Sequence, residues 1–529
     1  MPRSQLFKTL ESTQLWDIAI IGGGATGLGV ALDAAARGFS AVLVESHDFA
    51  KGTSSRATKL VHGGVRYLAQ GNISLVREAL HERTTLLNNA PHLAQPLAFV
   101  MPSYSYIDTP FYGIGLKMYD LLAGKAGLGA TEFLSAKRAA ALLPNLKTTG
   151  LKGGVKYWDG QFDDARLALA IGKTAANKGA LLLNYCKATG LSHTDGKITG
   201  LTCQDVETGT SYSIKAKCVI NAAGVWVDEF RQMDGQALGR PVKPMVAPSQ
   251  GVHIVVDREF LPTDHALMVP KTADGRVLFA VPWLGKLILG TTDTPRQDLA
   301  REPTPFKEEL AFILDESAQY LSRPPTRADI KSIWVGLRPL VKPPEDDGGN
   351  TKALSREHTI LLSKSGLCTV TGGKWTTYRA MAEDVLAQCM DAKLLPKKAG
   401  GVTVKMPLSG AVARAALGSG ADPSGHSIAN VPSLTNYGSE AAAVQALPGA
   451  DVLLGWGLSE AMVRYAARHE YARTVEDVLA RRSRLLFLDA ALASSLAHRV
   501  GEILREENGV DPQTSAFVEL AGQYLRLPV

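Results

Sequence analysis

An α/β body interrupted by an antiparallel sheet and followed by a helical end is the fold that three stretches of the 529-residue chain predict. The first, DIAIIGGGATGLGVALDAAARGFSAVLVE at 17–45, runs strand, glycine turn, helix and second strand, and closes on an acid. The second pairs GVHIVVD at 251–257 with RVLFAVPWLGKLILGTTD at 276–293, two β-rich runs broken by turn residues, as antiparallel strands are. The third starts at Thr474-Val-Glu-Asp477, which has capping-box spacing, and keeps a helical period through 485–505.

In chain order, the first unit carries the residues that hold a dinucleotide pyrophosphate. Gly22 permits the tight turn, Gly24 the approach of the backbone to phosphate and Gly27 close packing of helix on strand, with Gly23, Ala25 and Thr26 completing the turn. The helix N-terminus then faces the anion, and Glu45 can accept hydrogen bonds from the hydroxyls of an adenosine ribose. The block GTSSRATKLVHGGVRYL at 52–68 offers the hydroxyls of Ser54 and Ser55 to phosphate oxygens. Its Gly63-Gly64 pair offers backbone that could press against a flat ring, and His62 sits beside them as a structural or ring-contacting residue rather than a base. A polar loop with a tight turn would read the same way. Helical period follows around Leu75, Ala79, Leu80 and Leu86. At 110–128, Phe111, Ile114, Met118, Leu121 and Leu122 share one face, a pattern that suits both an interfacial helix and a core-facing one.

The strand SIKAKCVIN at 213–221 runs into Ala222, Ala223 and Gly224, small residues suited to passing under a cofactor. At 369–385, TVTGGKWTTYRAMAEDV repeats the order strand, Gly372-Gly373 turn and helix, with Lys374 and Thr376 at the helix start. The segment 393–427, rich in Gly, Ala, Pro and Ser, is expected to be a linker. The expected divisions are a discontinuous nucleotide-binding body at 15–90, 150–240 and 340–392, a substrate-binding cap at 91–149 and 241–339, and the linker with a C-terminal helical domain at 393–529.

Composition narrows the function classes. The chain is 45% hydrophobic and 20% charged, as packed proteins are, and no run approaches the ~18 apolar residues of a spanning helix. The start, MPRSQLFKTLESTQLW, resembles neither a secretory signal nor a transit peptide. A net charge of +6 suits an anionic substrate or an anionic membrane surface without demanding either, and nucleic acid is not expected as a partner. The five scattered cysteines, without metal-ligand spacing, read as reduced thiols, and no metal is expected. Lacking an iron–sulfur motif and a redox disulfide, the chain must pass any electrons it collects from its cofactor to an outside acceptor, and without a second GxGxxG unit no built-in nicotinamide site is expected.

The motifs GGGATG, GTSSRATKLVHGGVRYL, DGQFDDARL, NAAGVW, GVHIVV, LILGTTD, GLRPL, SREHTI and TGGKWTTYR, in this order over roughly 15–390, make the chain similar to the FAD-dependent glycerol-3-phosphate dehydrogenases. HEYARTVEDVLARRSRLLFLD extends the resemblance more loosely into the C-terminal part. The resemblance implies a glutathione-reductase-like FAD-binding Rossmann domain, an inserted antiparallel-sheet substrate domain and a C-terminal all-helical domain. It also implies oxidation of sn-glycerol 3-phosphate to dihydroxyacetone phosphate by hydride transfer to FAD, with electrons passed to a membrane quinone. The helix after Gly372-Gly373 could stabilise negative charge on a reduced flavin.

A dianionic phosphate needs cations, and Arg66, Arg338, Arg356 and Lys374 stand in the matching motifs, with Tyr67 and Thr291 as hydroxyl donors. Taken singly, each cation also suits a solvated surface. His253 matches the family's active-site histidine and is expected to titrate near neutrality as the base. A histidine between Val252 and Ile254 also suits a satisfied core, although strand alternation turns it away from those neighbours. Arg338 or Lys374 could instead stabilise the alkoxide and leave the proton to water. Asp163 and Asp164 are expected to anchor the fold. The resemblance further implies a peripheral protein on the cytoplasmic face of a bacterial inner membrane, with a homodimer left open, since no EF-hand loop or cysteine-rich cluster follows the helical part. The alternatives are an oxygen-reducing glycerol-3-phosphate oxidase and a flavin-binding sensor without turnover.

Overall fold

Eight strands form the first sheet; six run in the order His358–Leu362, Cys368–Gly372, Ser211–Asn221, Trp16–Ile21, Ala41–Val44 and Leu181–Leu183, and Lys197–Asp205 pairs antiparallel with both Ser211–Asn221 and Cys186–Thr194. The computed structural model describes residues 2–64, 72–272, 275–342, 358–412 and 427–529. All neighbours in this row are parallel except His358–Leu362, which runs antiparallel to Cys368–Gly372. The central strands are nearly continuous apolar runs because both faces are covered. Helices Ala25–Ala36, Asp164–Asn177 and Tyr378–Asp391 pack on one face, and Leu6, Phe7 and Leu10 of the helix Arg3–Ser12 join the core on the other. The five cysteines are free and buried.

The second sheet holds ten strands and contains both β-rich runs expected to pair. Val246–Asp257 lies between Lys286–Gly290 and Ser332–Val341, antiparallel to each. The sheet departs from the expected pattern in two respects. One contact is parallel, Ala266–Val269 beside Ala94–Ser103. In addition, Gly153–Phe162, expected in the nucleotide-binding body, pairs along its whole length with Ala94–Ser103 and so belongs to the second sheet. Its aromatic and β-branched residues find cross-strand partners there that an isolated strand beside a helix would lack.

The C-terminal helices, chiefly Glu460–His469, Ala490–Asn508 and Thr514–Leu525, enclose a core that also takes in Trp283 and Trp334 of the second sheet. This part is not wholly helical, because Leu453–Gly455 and Leu458–Ser459 form a small hairpin. The capping box forms as its spacing predicts. The Asp477 carboxylate accepts from the Thr474 amide at 2.9 Å, and the Asp477 amide donates to the Thr474 hydroxyl at 3.3 Å. The following residues, Asp477–Arg482, wind as a π-helix, and Arg484 then takes a φ of +66°. Within the expected linker, 393–412 holds no helix or strand, and 413–426 lies outside the described residues.

The helix Asp108–Ala123 resolves the ambiguity in its apolar face. Leu116 and Tyr119 are buried, whereas Phe111, Ile114 and Leu121 are 69%, 62% and 81% exposed. The face with the helical apolar period therefore points outward. Among the described residues, no helix is long and apolar enough to cross a membrane.

Candidate functional site

The first glycine turn opens a cleft of roughly 900 Å³, solvent at its mouth included, between Gly22, Gly24, Glu45 and Ser54 on one side and Ala222, Ala223 and Gly224 on the other. Gly22 has a φ of +107°, and a Cβ there would stand 2.6 Å from the Ala222 carbonyl oxygen, so only glycine fits the turn. Glu45 closes the turn from below. Its carboxylate accepts from the Gly23 amide at 2.7 Å, the His47 amide at 2.9 Å and the Ser46 hydroxyl at 3.1 Å. A carboxylate offers about four acceptor positions, which leaves capacity for a ribose hydroxyl. Thr26 is half-buried in the first turn of the helix Ala25–Ala36. Ser54 accepts from the Ala25 amide at 2.9 Å, so its hydroxyl lies at the helix N-terminus where an anion would bind. Nothing lies within 4 Å of a Cβ built on Gly224, which leaves the opposite wall open. This cradle of bare backbone fits a dinucleotide.

The third glycine element abuts the same cleft. The Trp375 indole donates to the Ser54 carbonyl at 2.8 Å, the Thr376 hydroxyl to the His62 carbonyl at 3.4 Å and the Thr371 hydroxyl to the Gly224 carbonyl at 3.0 Å. Gly372 and Gly373 form the turn, and Lys374 is half-buried beyond them. Two expected contacts are placed otherwise. Ser55 is buried with its hydroxyl toward the Gly52 carbonyl, and its own carbonyl accepts from Lys59 and Arg484, so it faces packed interior rather than the cleft. Gly63 donates its amide to the Tyr119 hydroxyl at 2.9 Å, and a Cβ there would meet Leu80 at 2.7 Å, so its close approach is to two packed helices rather than to a flat ring. Gly64 is buried beside it, and the His62 side chain is exposed.

The second sheet presents a polar face to the loop that follows the nucleotide unit. Alternation puts Ser249, Gly251 and His253 on one side of their strand, opposite Arg338, Gly336 and Trp334 of the next. Val252 and Ile254 enter the apolar core on the other side, as the alternation predicts. Thr53 donates to the Leu337 carbonyl at 2.6 Å, and a Cβ on Gly336 would stand 2.6 Å from the Arg56 carbonyl, so residues 53–58 lie directly across this face.

His253 is 2% exposed and stacks on Trp334 with ring centroids 4.2 Å apart. Its Nε2 shares a hydrogen bond of 3.0 Å with the Thr58 hydroxyl, and its buried Nδ1 has no hydrogen-bond partner among the described residues. Burial, reinforced by the Lys59 and Arg338 charges, holds the imidazole well below its ordinary 6.5. That direction runs against titration near neutrality and favours the neutral form of the His253 imidazole. Arg338 donates to the Thr291 hydroxyl at 3.2 Å, to the Thr292 carbonyl at 2.9 Å and to Asp293 at 3.2 Å, which joins two of the expected residues.

Beneath His253, Lys59 is completely buried. It donates to Asp164 at 2.7 Å and to the Ser55 carbonyl at 2.8 Å, with the Trp334 ring centroid 4.8 Å away. Burial and the neighbouring Arg484 pull its pKa down to about 7 against the opposing attraction of Asp164. Asp164 also accepts from Arg484 at 3.0 Å and from the Ala57 amide at 3.0 Å, and Asp163 caps the helix Asp164–Asn177, so both aspartates anchor the fold. Arg66, Tyr67 and Arg356 lie outside the described residues. Thr58 and Lys59 stood inside a motif but had no chemistry attached to them, because nothing in the order of residues announces which ring a threonine will meet. Lys187 and Arg301 also line the cleft, from segments with no nucleotide signature, as do Lys51 and Trp226, each at the edge of a motif.

Comparison with known proteins matches residues 17–379 to the family model described as FAD dependent oxidoreductase, and 401–515 to the C-terminal domain of alpha-glycerophosphate oxidase. The mitochondrial glycerol-3-phosphate dehydrogenase of Rattus norvegicus is 40% identical over 99% of this chain and 75% of its own length. The corresponding mitochondrial enzyme of Arabidopsis thaliana is 40% identical over 94% of this chain and 83% of its own. The structure of the glycerol-3-phosphate dehydrogenase of Bacillus halodurans, complexed with FAD, superposes with a TM-score of 0.76 at 30% identity, covering 99% of this chain and 97% of that one.

Proposed function

Since the chain belongs to the FAD-dependent glycerol-3-phosphate dehydrogenase family, we propose that it oxidises sn-glycerol 3-phosphate to dihydroxyacetone phosphate and passes the electrons to a membrane quinone. The observation that carries this reading is the buried imidazole of His253 on the same sheet face as the Arg338 guanidinium, beside a glycine-walled dinucleotide cleft. Bound FAD supplies the hydride acceptor.

The chain's own residues supply the rest. With Thr58 on Nε2, the Nδ1 of His253 is the atom that takes the proton of the substrate's secondary hydroxyl. Arg338, a quarter exposed and oriented by Thr291 and Asp293, offers N–H donors to the phosphate or to the developing alkoxide. Lys374 adds a second positive charge from the neighbouring turn. The segment 53–58 covers His253 and excludes water from it. Arg66, Tyr67 and Arg356 complete the phosphate grip in this proposal.

Anaerobic addition of glycerol 3-phosphate is expected to bleach the yellow protein, and an unchanged flavin spectrum would reject the reading together with any redox role. Reoxidation much faster with a soluble quinone analogue than with oxygen is expected of a dehydrogenase, and the reverse order would make the protein an oxidase.

For the membrane, the supporting feature is the outward face of Asp108–Ala123. Tyr106, Ile107 and Phe133 extend its apolar surface, Phe133 lying against the helix at Gly113, while Lys152 stacks on Tyr106 and Lys117 is exposed beside it. An apolar face rimmed by lysines suits peripheral attachment to anionic lipid at the cytoplasmic face of a bacterial inner membrane. Phe111→Glu with Leu121→Glu is expected to abolish co-flotation with anionic vesicles while substrate bleaching persists. Undiminished flotation would remove the helix from the contact.

A further inference from the structure

The loop 296–306 leaves the second sheet and crosses to the mouth of the dinucleotide cleft, where three successive contacts fix it. The Leu299 carbonyl accepts from the Trp226 indole at 3.1 Å. The Arg301 guanidinium lies 3.7 Å from the centroid of the same Trp226 ring. Glu302 then receives two 2.7 Å hydrogen bonds from Arg56 and one of 3.2 Å from the Tyr524 hydroxyl, with the Lys51 ammonium 3.7 Å away. Trp226 follows directly from Ala222, Ala223 and Gly224, and a Cβ on Gly52 would come within 3.2 Å of its ring, so the indole is itself fixed between the two cleft walls.

Arg301 is the member of this loop that lines the cleft, together with Glu45, Lys187, Glu229 and Phe230. Glu45 marks that end of the cleft as the one for the adenosine ribose. A guanidinium stacked on an indole has its second planar face free for another flat ring, and its edge donors suit phosphate oxygens. Exposed at the mouth, Arg301 adds positive charge beside Lys51 and Lys187 where a doubly charged pyrophosphate would enter.

We propose that residues 296–306 form a strap over the adenylate half of FAD, with Arg301 stacked between Trp226 and the adenylate and Glu302 as the anchor that holds the strap down. The inference rests on FAD being the dinucleotide of this cleft. Because the strap belongs to the substrate sheet and its anchor touches the last helix, both of those regions govern how long the cofactor stays. Glu302 acts only through the strap and is a positioning residue.

The test follows FAD release from yellow holoenzyme after dilution, by flavin fluorescence. Arg301→Ala is expected to release FAD about tenfold faster than wild type. Arg301→Lys keeps the charge without the plane and is expected to release it several-fold faster. Glu302→Gln is expected to fall between wild type and Arg301→Ala, with unfolding midpoints of the flavin-free proteins unchanged for the exposed Arg301 variants. Release from Arg301→Ala within twofold of wild type would overturn the contact. Full retention in Glu302→Gln, with Arg301→Ala leaky, would overturn the anchor. A wild-type protein that purifies colourless and takes up no FAD would instead defeat the cofactor reading itself, and is distinguishable from either result.

Discussion

The dinucleotide cleft and the polar face of the second sheet are neighbours built on opposite principles. The cleft is shaped mainly by backbone. Its walls come from two strand-to-turn junctions, and a Cβ on Gly22 or on Gly27 would collide with the main-chain oxygen of Ala222 or of Gly22. The sheet face is shaped by side chains, since His253, Arg338, Thr291, Thr58 and Lys59 come from four separate segments and depend on one another for orientation and charge. A backbone site tolerates change in side chains that point elsewhere but no added atom at its glycines. A side-chain site tolerates small shifts of backbone but propagates any change of charge.

That contrast can be broken first at the cleft. Gly24→Val adds a branched side chain where even a Cβ would stand 3.1 Å from the Ser54 hydroxyl, and the protein is expected to purify folded and colourless. Full occupancy by FAD would show that the phosphate does not approach this backbone. Next in size is His253→Gln, which keeps a polar side chain of similar length but cannot take a proton. A loss of about 10²- to 10⁴-fold in kcat/KM, with flavin content intact, is the expected result. Because the folded-state imidazole lies well below 6.5, the acid limb of the wild-type profile assigned to His253 should fall below pH 6.5. A limb centred at neutrality would assign the proton to another group.

The smallest expected effect concerns the charge beneath the site. Lys59 titrates near 7 in the folded protein and at an ordinary 10.5 when unfolded, so between those values the unfolded chain binds more protons at this position. Its contribution to stability therefore increases as pH rises from about 7 to 10.5 and is at its least favourable below 7. Lys59→Met leaves Asp164 paired with Arg484. The variant is expected to cost about 2 kcal/mol or less at pH 9 and to flatten this pH dependence. Denaturant titrations of both proteins at pH 7 and pH 9.5 with equal differences would return Lys59 to an ordinary charged state.

How much of this could be read beforehand follows the same division. Gly22, Glu45 and the three strand-to-turn junctions were legible because each is a local pattern whose geometry the adjacent residues impose. The alternation that turns His253 from Val252 and Ile254 was legible for the same reason. Ser55 and Gly63 were not, since a hydroxyl or a glycine in a polar loop carries no sign of whether it will face a cofactor or, as here, the interior and Tyr119. The strand Gly153–Phe162, expected in the nucleotide-binding body, pairs with Ala94–Ser103, a partner some sixty residues earlier in the chain that no local pattern announces. The depressed pKa of His253 was equally out of reach. It arises from burial against Trp334 and from Lys59 and Arg338, none of them adjacent in sequence.

Order along the chain was sufficient to specify a nucleotide-binding turn, two classes of strand, the cap at Thr474 and a helix with an apolar stripe, since each depends on dihedral preference and periodicity within a few residues. It could not specify that the stripe of Asp108–Ala123 faces outward, that Arg338 is steadied by Asp293, or that Arg301 reaches the cleft from another sheet. Those are outcomes of burial and long-range charge. Both are properties of the distances between segments, and these come into existence only when the sheets pack.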